Sequence, residues 1–310
     1  MTRHIPVLLN EVIECLHLKP GMNVIDCTLG DAGHAENILE KIGPNGMLMG
    51  IDADPEALLR AKQYLYRFEN KALFIRDNFE HLQQIIADNN FRPVHGILMD
   101  LGWSSPQFEE RGRGFSFAKS DESLDMKYGT NLQFTIFNLQ NPKASDLVNT
   151  LDETELEKIF SEYGEENLSK EIAKEIVRVR KEKQIEKVGD LVEIILNVYR
   201  KKLKSTKEIP WVGGLHPATK VFQALRIAVN DELGVVERAL PQAVEVLEKG
   251  GRLAVITFHS LEDRIVKHYF KDQQSKSLNI ITKKPLTCSK EEYESNPRAR
   301  SAKLRVIERI

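Results

Sequence analysis

Short apolar runs alternate with segments of helical periodicity over the first hundred residues. Between the runs, apolar residues recur three or four positions apart, as they do on one face of a helix. Alternating strands and helices indicate a parallel sheet covered by helices on both faces. The four predicted strands cover residues 22–25, 47–51, 72–75 and 96–99.

A long helical segment interrupts this pattern before a fifth apolar run, Leu253–Phe258, extends the sheet. Within the interruption the apolar spacing is purely helical, and no internal repeat is visible. The pattern therefore predicts an α/β fold in which residues 1–107 and 216–310 form the sheet domain. Residues 108–215 would form an inserted all-helical domain.

Composition allows one large core and a smaller lobe, since 41% of the 310 residues are hydrophobic. The three cysteines, Cys15, Cys27 and Cys288, show no CxxC spacing, so neither a disulfide framework nor a zinc site is expected. No apolar stretch approaches the ~18 residues of a membrane span, and the N-terminus lacks the features of a signal peptide. We expect a cytoplasmic protein without a metal or a membrane partner.

Charge is segregated along the chain although the net charge is only −2. Residues 144–168 contain eight acids and one base, whereas residues 169–207 contain twelve bases and six acids. Residues 283–309 contain eight bases and four acids. A solvated helix face explains such runs, and so does a surface that binds a polyanion.

The loop after the first predicted strand contains Gly30 and Gly33 and is flanked by Asp26 and Asp31. A phosphate-binding P-loop ends in Gly-Lys-Ser/Thr, but no lysine or arginine occurs in residues 21–40. The first glycine of a dinucleotide fingerprint is also missing, and carboxylates repel a pyrophosphate by about 1 to 4 kcal/mol at ~4 Å. Acids attract a cationic nucleoside without phosphate, which favours S-adenosylmethionine.

Polar and aromatic residues follow the next three predicted strands. Asp52 ends the second strand 22 residues after Gly30, close to the ~20-residue spacing of an acid that binds ribose hydroxyls. Phe79 follows the third strand, where it would contact an adenine or pack in the core. Asp100 follows the fourth strand. Ligands bind at this carboxyl edge of open sheets, so the order predicts a nucleoside site, although a surface loop with a capping aspartate explains each feature alone.

Nine longer motifs also occur in a fixed order, and on them the chain resembles the MraW family, bacterial methyltransferases of 16S ribosomal RNA. The resemblance spans nearly the whole chain. The motifs are HIPVLLNEV (4–12), DCTLGDAGH (26–34), GIDADPEAL (50–58), MDLGWSSPQ (99–107), RGFSF (113–117), LDM (124–126), HPATKVFQALRIAVNDEL (216–233), FHSLEDRIVK (258–267) and NPRARSAKLRVIER (296–309).

The resemblance implies a Rossmann-like class I methyltransferase sheet domain that binds the cofactor S-adenosylmethionine, and an inserted helical domain that recognises the substrate. It implies methylation of the N4 amine of a decoding-centre cytidine in 16S rRNA, within a small ribosomal subunit or a late precursor. The implied cofactor contacts are Ala32, Gly33 and His34 at the methionine end, Asp52 at the ribose, Phe79 at the adenine, and Asp100 and Gln107 along the remaining edge.

Two positions differ from the family pattern. Ala32 stands where the family usually has glycine, and Trp103 stands where a small aliphatic residue is usual. The first change narrows the loop, and the second alters the substrate pocket.

Asp100 has two candidate roles in methyl transfer. It would bind the cofactor, which we favour, or accept a hydrogen bond from the cytosine amine and so restore its nucleophilic lone pair. A base inside folded RNA has to be unstacked, and Trp103 or Phe115 would stack on it unless these rings are simply packed. The basic segments 169–207 and 283–309 are the candidate phosphate contacts.

Two other functions are compatible with parts of the sequence. A catalytically inactive RNA-binding assembly factor would keep the cofactor pocket without turnover. A nicotinamide-dependent dehydrogenase is disfavoured by Asp31 and the missing glycine. The sequence leaves open whether the protein is a monomer or a homodimer.

Overall fold

The computed structural model describes residues 5–101, 112–128, 135–204 and 214–310. The chain divides into two compact units. Met1–Trp103 and Leu233–Ile310 form the first, which we call the sheet unit. Ser104–Glu232 form the second, the helical unit.

Seven strands form the sheet of the sheet unit, in the spatial order β3-β2-β1-β4-β7-β9-β8. Strands β1 to β4 and β7 are parallel, and β9 runs antiparallel to both of its neighbours. The strands are β1 Asn23–Asp26, β2 Met47–Asp52, β3 Ala72–Arg76, β4 Val94–Asp100, β7 Leu247–Thr257, β8 Leu278–Ile280 and β9 Lys303–Arg309. The helical unit holds a two-stranded hairpin, β5 Thr135–Ile136 and β6 Leu139–Gln140. The five strands predicted from the sequence are confirmed.

Twelve α-helices lie within the described ranges. They are α1 Leu9–Leu16, α2 Gly33–Ile42, α3 Pro55–Tyr64, α4 Leu82–Asp88, α5 Ala144–Thr150, α6 Glu153–Glu162, α7 Ser169–Val179, α8 Val188–Leu203, α9 Thr219–Asn230, α10 Glu232–Val246, α11 Ser260–Gln273 and α12 Lys290–Ser295. Over those same ranges, no helix combines the length and the apolar character that crossing a membrane requires.

Helices cover both faces of the sheet because side chains alternate along each strand. On β1, Val24 points into the core formed with α1, α2 and α3. Its neighbour Ile25 points into the opposite core, formed with α4, α10 and α11. Both side chains are fully buried. The predicted Rossmann-like α/β fold class is therefore confirmed.

Helices α5 to α9 enclose a separate apolar core in the helical unit. The apolar face of α9, with Val221, Phe222 and Leu225, packs in this core rather than on the sheet. The second domain boundary therefore lies after Glu232 and not at the predicted residue 215. The helical spacing of α9 was visible in the sequence, but the partner of its apolar face was not.

Part of the basic C-terminal segment 283–309 belongs to the sheet, and contact of its other bases with RNA phosphates stays a prediction. Strand β9 lies inside the sheet, between β7 and β8. Arg305 pairs with the buried Asp263 of α11, and Arg309 donates hydrogen bonds to the carbonyls of Glu245 and Leu247. Several of its bases thus hold the fold together.

The pair between Arg305 and Asp263 gives the first prediction. Their atoms Nε and Oδ1 are 2.6 Å apart, Nη2 and Oδ2 are 3.1 Å apart, and both residues are only 9% exposed. Asp263→Ala leaves a buried guanidinium without its carboxylate, so we expect urea denaturation at pH 7 to show a loss of about 3 to 5 kcal/mol. Lys303→Ala is the control, because its ammonium also faces Asp263 but its side chain is 40% exposed.

The control should cost less than about 1 kcal/mol. Burial alone would raise the pKa of Asp263, but the hydrogen bonds and charge of Arg305 hold it below its ordinary value. The stabilisation is therefore present above the unfolded pKa of ~3.9 and is lost as pH falls through the folded pKa. Equal losses in the two variants, or a loss that persists unchanged under strong acid, would contradict this account.

Candidate functional site

The loop between β1 and α2 leaves the sheet at its carboxyl edge. Hydrogen bonding to both neighbouring strands continues past the end of β1. The Cys27 N–H donates to the Leu98 carbonyl at 2.9 Å, and the Leu29 N–H donates to the Ile51 carbonyl at 3.0 Å. The loop is thereby fixed between the ends of β4 and β2, where nucleoside ligands bind in such sheets.

Gly30 connects this loop to Asp52. Its N–H donates to Asp52 Oδ2 at 2.8 Å, and Asp52 Oδ1 accepts from the Asp54 N–H at 2.8 Å. Gly30 has a φ of +51°, and a Cβ built there would meet nothing closer than the Thr28 carbonyl at 3.9 Å. That side of the loop has room for a ligand. Each carboxylate oxygen of Asp52 retains capacity to accept a further hydrogen bond, as a ribose contact needs.

Thr28 connects the same loop to Asp100. The Asp100 N–H donates to Thr28 Oγ1 at 2.8 Å, and the Thr28 N–H donates to Asp26 Oδ1 at 3.1 Å. The backbone of Asp100 is thus held by a side chain from the glycine loop. Thr28 was not predictable from the sequence, because a threonine in a loop carries no signal until its strand neighbours are known.

His34 lies at the start of α2 and is buried, with 6% of its surface exposed. Its Nε2 is 2.9 Å from the Val7 carbonyl, and its Nδ1 is 3.8 Å from Asp100 Oδ2. A carbonyl only accepts, so this contact assigns the proton to Nε2 and a lone pair to Nδ1. Burial lowers the pKa of His34, which keeps the ring neutral at pH 7. Nδ1 and the Asp100 carboxylate are therefore two neighbouring acceptors, and a cationic N–H donor can serve both.

Gly33 is required by packing as well as by the loop. A Cβ built at Gly33 would lie 3.1 Å from Pro6, which is closer than side chains normally approach. Pro6 and Val7 belong to the motif HIPVLLNEV, to which the sequence analysis gave no role. The structure shows that Pro6 packs against Gly33 of the loop and that the Val7 carbonyl accepts a hydrogen bond from His34.

Burial changes the ionisation of two carboxyls beside the loop. Loss of solvent raises the pKa of Asp26, which is 2% exposed, to about 6. Loss of solvent around the carboxyl of Asp52 also raises its pKa to about 6, although two backbone N–H donors oppose the shift. A positive ligand charge would compensate both groups.

The sequence suggested that Asp31 contributes negative charge to this site, but in the structure an arginine pairs with it. Arg60 of α3 places its Nε 2.8 Å from Asp31 Oδ1 and its Nη2 3.8 Å from Asp54 Oδ2. The negative charge that favours a cationic ligand therefore comes from Asp26, Asp52 and Asp100.

Two further predicted cofactor contacts are described by the structure. Ala32 is fully buried and has a φ of +59°, a left-handed conformation in which glycine is favoured, which explains the family's preference. Phe79 is 3% exposed and packs in the core beneath the sheet, as its second interpretation anticipated. Its contact with an adenine stays a prediction.

Gln107 and Trp103 lie outside the described residues. Phe115, the other candidate stacking ring, lies in the helical unit. Its ring stacks on Tyr128 with the centroids 5.5 Å apart, in agreement with the packing interpretation.

Comparison with known proteins agrees with this chemistry. The model of the MraW methylase family matches residues 1–310. Ribosomal RNA small subunit methyltransferase H of Dictyoglomus thermophilum is 46% identical over 306 residues, covering 99% of this chain and 96% of that protein. The enzyme of the same name from Clostridioides difficile is 42% identical over 324 residues and covers 99% of both chains. The chain therefore belongs to the MraW methylase family, and S-adenosylmethionine is its methyl donor.

Proposed function

We propose that this protein methylates the N4 amine of a cytidine in 16S ribosomal RNA, within the small subunit or a late precursor of it. Family membership over the whole chain supports methyl transfer, and the names of the relatives support small-subunit rRNA as the substrate. A methylase assignment also removes the dehydrogenase alternative.

The residues at the glycine loop fit the methyl donor. S-adenosylmethionine supplies, when bound, a methyl group activated by a positively charged sulfur. Gly30 leaves room beside the loop, Asp52 offers acceptors for hydroxyls, and His34 and Asp100 offer adjacent acceptors for an ammonium group. The proposed cofactor residues are Ala32, Gly33, His34, Asp52, Phe79, Asp100 and Gln107.

Three carboxylates at the ends of β1, β2 and β4 are the observation that supports S-adenosylmethionine as the ligand. They suit a ligand with positive charge and no phosphate, and they are costly without one, since burial raises the pKa of Asp26 and of Asp52 to about 6. The principal contribution of the protein to the displacement is alignment of the reacting groups and exclusion of water.

Asp100 is the one residue here with two candidate roles. Its side chain is 21% exposed and its backbone is held by Thr28, so its carboxylate has a fixed position at the edge of the sheet. We assign it to the cofactor. The alternative is that it accepts a hydrogen bond from the cytosine amine, whose lone pair is otherwise delocalised into the ring.

Nucleoside mass spectrometry of 16S RNA tests the proposed function. RNA from cells that lack the gene should contain no N4-methylcytidine at the target position, and the purified protein should restore it with S-adenosylmethionine. Naked 16S RNA and isolated small subunits are compared as substrates. Cofactor and RNA binding without any methyl transfer would instead establish the inactive assembly factor.

The variant Asp100→Asn separates the two roles of Asp100. A cofactor role predicts that calorimetry shows weaker binding of S-adenosylmethionine, because the amide loses the negative charge. An amine-orienting role predicts nearly unchanged cofactor affinity and a kcat that falls by about 100-fold or more. Thr28→Val, which removes the acceptor for the Asp100 N–H without changing side-chain shape, should produce a weaker form of the same defect.

Cofactor binding should weaken in acid. Burial raises the folded pKa of Asp26 and of Asp52 from the ordinary value of 3.8 to about 6. In the free protein, the folding stability that depends on their protonated forms is therefore lost as pH rises through 6. A bound cation favours the ionised forms. We expect the Kd of S-adenosylmethionine to increase about 100-fold between pH 7.5 and pH 5, since two groups with a pKa near 6 are then each ~90% protonated and each contributes about tenfold.

S-adenosylhomocysteine is the matched control because its sulfur is neutral. Its Kd should change less over the same pH range. An affinity for S-adenosylmethionine that is constant between pH 5 and pH 7.5, or equal pH dependence for the two ligands, would contradict the electrostatic account.

A further inference from the structure

A cavity of about 580 Å³ lies in the helical unit, along α7 and α8. Its volume is within the range of about 300 to 1,000 Å³ that is typical of ligand sites. It is formed wholly by residues of the helical unit and is separate from the glycine loop. The side chains that line it are Glu153, Leu168, Glu171, Lys174, Glu175, Val177, Arg178, Lys181, Val198, Lys201 and Lys202.

The cavity has an apolar floor and a basic rim. Leu168 and Val198 are buried at its base, and Val177 is partly exposed beside them. Five of the remaining lining residues are bases and three are acids. Such a surface suits a ligand that combines negative charge with a flat apolar part.

One of the acids is already compensated within the rim. Glu175 Oε1 is 3.0 Å from Arg178 Nη2 and 3.1 Å from Lys201 Nζ, so it bridges α7 and α8. These ion pairs, with the hydrogen bond and charge of Arg178 leading, hold the pKa of Glu175 below its ordinary value. Glu175 is therefore ionised at neutral pH and organises the two bases.

Three other lysines of the rim, Lys174, Lys181 and Lys202, are exposed. Within the described part of the chain, none of their ammonium groups has a carboxylate within 4 Å. Lys174 lies on α7, whereas Lys181 lies in the turn that follows this helix, seven residues further along the chain. They can therefore contact different phosphates of one strand.

We propose that this groove binds a single-stranded segment of the RNA substrate. Phosphates contact Lys174, Lys181 and Lys202, and one unstacked base lies against the apolar floor. The inference rests on the proposed function for the identity of the ligand as RNA. It adds a second binding surface, on the helical unit, to the site of methyl transfer.

Charge distribution favours an anion as the occupant, and the apolar floor favours the flat base of an RNA over an acidic peptide. The segment 144–168, which forms α5 and α6, contains eight acids and one base and would repel a long polyanion. Residues 169–207 have the opposite excess, so the basic segment attracts RNA. A single strand is required because the bases of a duplex are stacked inside it and cannot reach the floor.

The groove is tested by removing the three lysines of its rim that have no ion pair among the described residues. The variant Lys174→Ala/Lys181→Ala/Lys202→Ala is compared with Lys249→Ala/Lys271→Ala/Lys276→Ala, which removes the same charge from exposed positions of the sheet unit. Fluorescence anisotropy measures binding of a mixed-sequence 12-nucleotide single strand between 50 and 200 mM KCl. Methyl transfer to 16S RNA gives KM and kcat.

Each phosphate contact on a single strand contributes about 0.7 to the slope of log K against log salt. The groove variant should therefore lose about 2 from this slope and raise the KM for 16S RNA, with kcat and the Kd of S-adenosylmethionine unchanged. The control should match the wild type. A groove variant with the wild-type slope and KM overturns the proposal, including the case in which an acidic peptide is the true ligand.

Val177→Phe tests the apolar floor without changing any charge. The added ring fills space that the base would occupy, so affinity for the single strand should fall while affinity for a 12-base-pair RNA duplex stays the same. Unchanged single-strand affinity would show that no base enters the cavity and would overturn that part of the proposal.

These results are distinguishable from failure of the proposed function. If the wild-type protein transfers no methyl group but the groove variant still loses RNA affinity and salt slope, the groove stands and the enzyme assignment fails. If the wild type methylates 16S RNA and the groove variant does so with equal KM, the enzyme assignment stands and the groove is wrong.

Discussion

Two of the hydrogen bonds between the loop after β1 and its neighbouring strands involve the acids that end those strands. The Gly30 N–H donates to the Asp52 carboxylate at the end of β2, and Thr28 Oγ1 accepts from the Asp100 N–H at the end of β4. The loop and the two acidic side chains are therefore positioned together. Because parallel strands deliver their carboxyl ends to one edge, this local geometry follows directly from the order of β2, β1 and β4.

The same geometry places several carboxylates close together in a site that is largely shielded from solvent. A carboxylate held in such a place is stabilised by taking up a proton or by a positive partner, and burial accordingly raises the pKa of Asp26 and of Asp52 to about 6. A cationic methyl donor supplies the positive partner. The buried acids therefore favour a positively charged ligand, because such a ligand offsets the free energy of burying them. Arg60 pairs with Asp31, so that carboxylate needs no compensation from the ligand.

Local patterns predicted the parallel strands, and the order of glycines and acids predicted the nucleoside site, because both depend on residues near one another in sequence. Contacts between distant residues were not predictable. Arg60 pairs with Asp31 from 29 residues away, and Arg305 with Asp263 from 42 residues away, which turns basic residues of an apparent tail into structural ones. Helix α9 was visible as a helix, yet its place in the helical unit depended on a partner that spacing does not reveal.

Proton release on binding S-adenosylmethionine tests the central claim most directly. Calorimetry at pH 6 in buffers of different ionisation enthalpy counts the protons exchanged. Asp26 and Asp52, with pKa values of about 6, are each half protonated there, so a bound cation that ionises both should release about one proton per site. Binding with no proton release, or with proton uptake, would show that these carboxyls do not respond to the charge of the donor.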